Sequence, residues 1–97
     1  MLMQKPITPG SVVTLKLTTG EEIFGRLDSE DENFVTLDKV CTLGRDSNTG
    51  AVGLMNWMMT SAPALVPVSR GSIIAMVPTE EKLARKYTED TTSIQLV

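Results

Sequence analysis

Histidine is absent from this chain of 97 residues, and cysteine occurs once, at Cys41. Without an imidazole there is no side chain whose ordinary pKa lies near neutrality, so Ser-His-Asp and Cys-His nucleophile systems and histidine metal ligands are excluded. A single thiol forms neither an intramolecular disulfide nor a cysteine-based zinc site. Aromatic residues make up only 4% of the chain, which leaves Val, Leu, Ile and Met to build the core. No apolar run approaches the length needed to cross a bilayer, and the opening stretch MLMQKPITPG is too short and too weakly apolar for a secretory signal. The expectation is a cytoplasmic protein, not an enzyme, with no cofactor and no membrane partner. The net charge of −3 argues against gripping nucleic-acid phosphates over the whole surface, so any such contact must be local.

What is present reads as strands. In residues 11–19, SVVTLKLTT, Val13, Leu15 and Leu17 alternate with Thr14, Lys16 and Thr18, the period of a half-buried strand. Gly20 supplies a tight turn. Over 21–29, Ile23, Gly25 and Leu27 face inward while Glu22, Phe24 and Arg26 face outward. A glycine on the inward face lets a bent sheet approach itself closely. The SEDEN segment turns the chain into a third strand from Phe34, FVTLDKVCTL. GRDSNTGAVG is a loop or hairpin tip, and AVGLMNWMMT over 51–60 reads as a strand with apolar residues on both faces. ALVPVSRGSIIAMVP holds two apolar runs hinged at Arg70-Gly71, and Pro78 closes the sheet region.

Beyond Pro78, TEEKLARKY predicts a short helix with Thr79 as N-cap, acids in its first turn and bases in its last. Leu83 and Tyr87 are its apolar anchors. The tail TEDTTSIQLV is expected to be mobile or to add as an edge strand, and two prolines keep any helix in the first ten residues short. The count is about five strands, so the fold class is all-β, a small and strongly bent open barrel with a C-terminal helix. A core this small is marginal in a monomer, and burial within an oligomer would strengthen it.

The pattern VVTLKLTTGEEIFGRLDSEDENFVTL resembles the first motif of the Sm/LSm/Hfq family, with Gly20, Gly25, Leu27, Asp31 and Leu37 in the expected places. LVPVSRGSIIAMV resembles its second motif, an apolar strand ending in Arg-Gly before another apolar strand. Together they cover about half the chain in the family's order. The resemblance implies one Sm-like domain over 1–97, its core at about 11–78 and helix and tail at 79–97, with a long insertion at 43–62 between the third and fourth strands. It implies a homo-oligomeric ring in which strand four of one subunit pairs strand five of the next. It also implies single-stranded, U- or A-rich RNA as a partner at inner-loop sites. The residues carried over are Asp31, Asn33, Phe34, Arg70 and Gly71: an Asn amide reads a base edge, a carboxylate positions it, and Phe34 or Arg70 stacks on a base. For these the plainer readings are a polar turn with Phe34 in the core, and a hinge glycine beside an Arg that is solvated or paired to Asp31. Two alternatives stand beside the RNA reading: an Sm-like scaffold ring that binds protein but no RNA, and a monomeric SH3-like interaction module. The acids of DSEDEN offer oxygen ligands to a cation but lack the EF-hand spacing. LMNWMM at 54–59 is core, a surface buried between subunits, or a sticky partner site.

Overall fold

The computed structural model describes the backbone of residues 7–95 and the side chains of residues 7–91. The element order is β1 (Val12–Leu17), β2 (Glu22–Glu30), β3 (Phe34–Arg45), β4 (Val52–Asn56), β5 (Leu65–Ser69), a 3₁₀ turn (Arg70–Ser72), β6 (Ile73–Pro78) and α1 (Glu81–Gln95). The class is all-β with a C-terminal helix. There are six strands rather than five, because the 43–62 segment extends β3 and folds back as a hairpin strand of its own. All ladders are antiparallel, in the order β4-β3-β2-β1-β6, with β5 on the same side of β3 as β4. Phe34–Asp38 pair with β5 and Cys41–Arg45 pair with β4. No ladder joins β5 to β6, so the sheet is not closed.

The alternation predicts the buried face. Val13, Leu15, Leu17, Ile23, Leu27, Val35, Leu37, Val40 and Val68 form one apolar cluster, against which Trp57, Val66, Ile73 and Met76 also pack. Residues from both outlying strands, β5 and β6, reach the same cluster, so the sheet curls around it. Three register shifts accompany the bend, one between β1 and β6 at Lys16/Leu17 and two between β2 and β3. Between Phe24↔Cys41 and Arg26↔Asp38 the third strand carries one residue more than the second, a bulge that includes Lys39 at φ 49°. The glycine facing it is a close approach. A Cβ on Gly25 would lie 2.9 Å from the Asp38 carbonyl oxygen and 3.3 Å from Leu37 Cβ. The other β2–β3 shift lies between Leu27 and Ser29, at the other end of β2. Gly20 turns the first hairpin at φ 95°, a conformation that L side chains resist.

The opposite face of the sheet is partly covered by α1, which changes two expectations. Phe24 faces away from the first cluster, as its alternation predicts, but it is not on the surface. Tyr87 of α1 packs edge-on to it, ring centroids 6.0 Å apart, and both are buried with Cys41. The Tyr87 hydroxyl donates to the Asp38 carbonyl at 2.5 Å and accepts from the Arg26 backbone N–H at 3.2 Å. Burial pushes this phenol up to about 12. Helix α1 also runs past Tyr87, where the tail was expected to begin, with Lys86–Asp90 as an i,i+4 pair on its exposed side. Its cap is Glu80, not Thr79. The Glu80 carboxylate accepts the Leu83 N–H at 2.9 Å, which holds its pKa below the usual carboxylate value. Thr79 is buried instead, its hydroxyl 2.9 Å from that of Thr14. The first ten residues, where two prolines were expected to keep any helix short, lie mostly outside the described residues. No helix among the described residues is long and apolar enough to cross a membrane.

Candidate nucleic-acid interface

The β2–β3 turn is a chain of local hydrogen bonds. Asp31 Oδ1 accepts the backbone N–H of Asn33 and of Phe34, each at 2.8 Å. The Asp31 N–H donates to the Phe34 carbonyl at 2.9 Å. This is the Asx geometry that lets a short acidic segment reverse the chain tightly. The two backbone donors, assisted by the Arg70 charge, lower the Asp31 pKa. Asp31 therefore spends one carboxylate oxygen on its own turn. It orients the backbone of Asn33 and not, as the resemblance implied, the Asn33 amide.

Arg70 enters from a part of the chain remote in sequence. Ser69 pairs with Phe34 at the end of the β3–β5 ladder, which carries the 3₁₀ turn onto the Asp31–Asn33 turn. The Arg70 N–H then donates to the Asn33 carbonyl at 2.9 Å. Its Nε donates to the Asp31 carbonyl at 2.5 Å, and its terminal nitrogen pairs with Glu30 at 2.6 Å. Asp31, Asn33, Phe34 and Arg70 are thus brought together around one turn. The partner that the sequence reading missed is Glu30, which it counted only as one of the rim acids. Its signal was present in the sequence: β2 ends in an acid at the turn that faces the Arg-Gly hinge.

Phe34 is not a core residue. It is 43% exposed, and Asn33 and Arg70 are exposed beside it. No side-chain hydrogen bond holds the Asn33 amide among the described residues, and the residue is exposed. Gly71 is less constrained than expected. A Cβ there would meet only Ser69 Oγ, at 3.7 Å, so nothing within this chain requires glycine at that position. The rim is acidic, with Asp28, Glu30, Asp31 and Glu32 all exposed. Among the described residues no group of three or more acidic or cysteine side chains is arranged to hold a metal ion.

A second concavity lies where β3 exchanges one partner strand for another. The Lys39 N–H donates to the Ala64 carbonyl and the Trp57 N–H to the Val40 carbonyl. Between these two bonds a cleft of about 540 Å³ opens, walled by Val40, Cys41, Met55, Met58, Pro63 and Val66. Burial raises the Cys41 thiol pKa, which makes it a packing group rather than a nucleophile. No known family model matches the chain, and no curated protein sequence matches it.

Proposed function

We propose that this chain is an Sm-like, ring-forming subunit that binds single-stranded, U- or A-rich RNA through the surface made by Asn33, Phe34 and Arg70, without catalysis. The observation that carries the reading is the junction of the two motif segments. Arg70 closes on the Asp31–Asn33 turn through its backbone, its Nε and its terminal nitrogen. Two stretches that resemble one family in sequence thereby form one exposed site with an amide, an aromatic ring and a guanidinium. The strand order β5-β3-β2-β1-β6 around one apolar cluster supports the open-barrel part of the reading. The outer edges of β5 and β6 have no ladder partner among the described residues, and a free edge favours pairing with another chain. Head-to-tail pairing of β5 with the β6 of a second copy closes such edges into a ring.

The local charge decides what kind of RNA contact fits. The Arg70 charge is already answered by Glu30, and further acids flank it, so phosphate contacts are weak here. Base contacts are compatible with this field, because an Asn amide and a Phe face carry no net charge. Binding should then depend only shallowly on salt, with a slope well below that of a phosphate-gripping protein. Fluorescence anisotropy with labelled oligo-U and oligo-A at low salt tests this. Asn33→Ala or Arg70→Ala should weaken binding about ten-fold, equivalent to the loss of roughly 1.4 kcal/mol. Absence of binding to both oligomers, or an Arg70→Ala protein that binds unchanged, would remove the RNA reading. The acidic rim is the specific observation that favours the second reading, a scaffold ring with no RNA. A protein that is oligomeric by light scattering yet binds neither oligomer would establish that reading.

A further inference from the structure

From Ser47 to Ser69 the chain contains no Asp, Glu, Lys or Arg, although 22% of the whole chain is charged. This stretch comprises the rest of the hairpin beyond its Asp46 corner, all of β4, the connection to β5, and β5 itself. Within it Val68 is buried and Leu54, Trp57 and Val66 are partly so, but most of its large apolar side chains are not covered. Val52, Met55, Met58, Met59 and Leu65 are exposed, as is Leu43 across the hairpin, and Met59 is 85% exposed. Among the described residues, Trp57 and Leu54 anchor the arm. Trp57 packs against the main cluster with its indole N–H on Glu21, and Leu54 packs beside Cys41 and Tyr87. Among the described residues the remaining exposed large hydrophobics are Phe34 at the candidate site and Ile74 and Val77 on β6. Apart from Phe34, they therefore gather at the two opposite ends of the strand order, one group on the β4 and β5 side and the other on β6.

We infer that the apolar arm, Leu43 to Met59, charge-free beyond its Arg45-Asp46 corner, is part of the contact between subunits and receives the exposed β6 residues Ile74 and Val77 of a second copy. This rests on the ring reading above, in which β5 of one copy meets β6 of the next. The occupant is a second copy for two reasons. The apolar residues left exposed at one end of the sheet are matched by those left at the other end, as a head-to-tail contact requires. The uncharged stretch also runs without interruption from β4 into β5, whose free edge is the proposed pairing edge. Depletion of charge together with methionine and branched aliphatics is the composition of a buried interface core rather than of a solvated face.

Two measurements test the inference. The first is methionine oxidation by dilute hydrogen peroxide, read by peptide mass spectrometry at a concentration where light scattering reports an oligomer. Met55 and Met59 should oxidise at least about ten-fold more slowly than in the urea-unfolded chain, because a thioether covered by another subunit is shielded. The second is a double-mutant cycle on the dissociation constant for assembly. Met59→Lys and Ile74→Lys should each weaken assembly about ten-fold or more. Combined, they should cost less than the product of the two effects, since both remove one contact. Circular dichroism of each dissociated variant should match the wild type. An oligomer in which Met59 oxidises at the unfolded rate, or in which the two substitutions act independently, would overturn the arm contact and leave the edge pairing standing. A wild-type protein that stays monomeric at micromolar concentration would overturn both.

Discussion

The β2–β3 turn with Arg70 and the β3–β4 arm both project from the same long strand, yet they are finished to different degrees. The turn is polar and complete within one chain, with its carboxylate, backbone and guanidinium all engaged. The arm is apolar and incomplete. Its tip is well made, with Asp46 Oδ1 accepting the Asn48 N–H at 2.7 Å and the Arg45 guanidinium donating to the Gly50 carbonyl at 2.9 Å, but its flanks stay exposed. Polar groups satisfy one another over short distances along the chain. Apolar groups need area, and the described residues leave the flanks of the arm uncovered. Changes near the turn and core should therefore act on folding, and changes on the arm on association.

The largest expected effect breaks the shared core beneath both regions. Leu37→Ala, at a fully buried side chain, should lower unfolding free energy by about 2–5 kcal/mol in urea melts. Gly25→Ala comes next. The added Cβ meets backbone at Asp38 and would have to displace the bulge, so about 1–3 kcal/mol is expected. A substitution there that left stability unchanged would mean that the bulge does not hold the bend.

Tyr87→Phe should cost a comparable or smaller amount, about 1–3 kcal/mol, by leaving the partly buried Asp38 carbonyl without its phenol donor. Its pH dependence is the sharper reading. The Tyr87 pKa is raised from 10.0 to about 12 in the folded chain. The folded state thus holds the phenol proton where the unfolded chain releases it. Its stabilisation is complete below pH 10 and is lost as pH rises toward 12, in proportion to the proton difference. Tyr87→Phe should flatten that loss in melts recorded across the window.

Smaller effects separate the turn from the arm. Arg70→Ala removes an exposed ion pair and should cost about 1 kcal/mol or less in stability, while its effect on RNA affinity is the larger one. Because the folded Asp31 pKa lies below the ordinary 3.8, the carboxylate's contribution is present above 3.8 and is lost as pH falls through the lower folded-state value. The turn's support fades with it, and the Asn33 and Phe34 amide resonances should shift together. Met59→Ser should change the stability of a dissociated chain by no more than about 0.5 kcal/mol. A large loss there would show that the arm supports the fold of its own chain.

Local sequence pattern specifies where most strands lie, the buried alternation of Val13, Leu15 and Leu17, the Gly20 turn, the inward Gly25 and the apolar anchors Leu83 and Tyr87 of the helix. These follow from local rules, a side-chain period of two and the steric freedom of glycine, which neighbouring residues suffice to express. Tertiary structure alone decided that Phe24 is covered, that Glu80 rather than Thr79 caps α1, and that Glu30 holds Arg70. It also decided that β3 changes partner at Lys39 and so sends an arm outward. A residue's cover, its ion partner and its ladder partner are each supplied by chain far away in sequence, and no local pattern records how the backbone will bring that chain back. The candidate site stands on both kinds of information. Its residue types were legible in two separate stretches, and their meeting depended on the β3–β5 ladder that carries Arg70 to the turn.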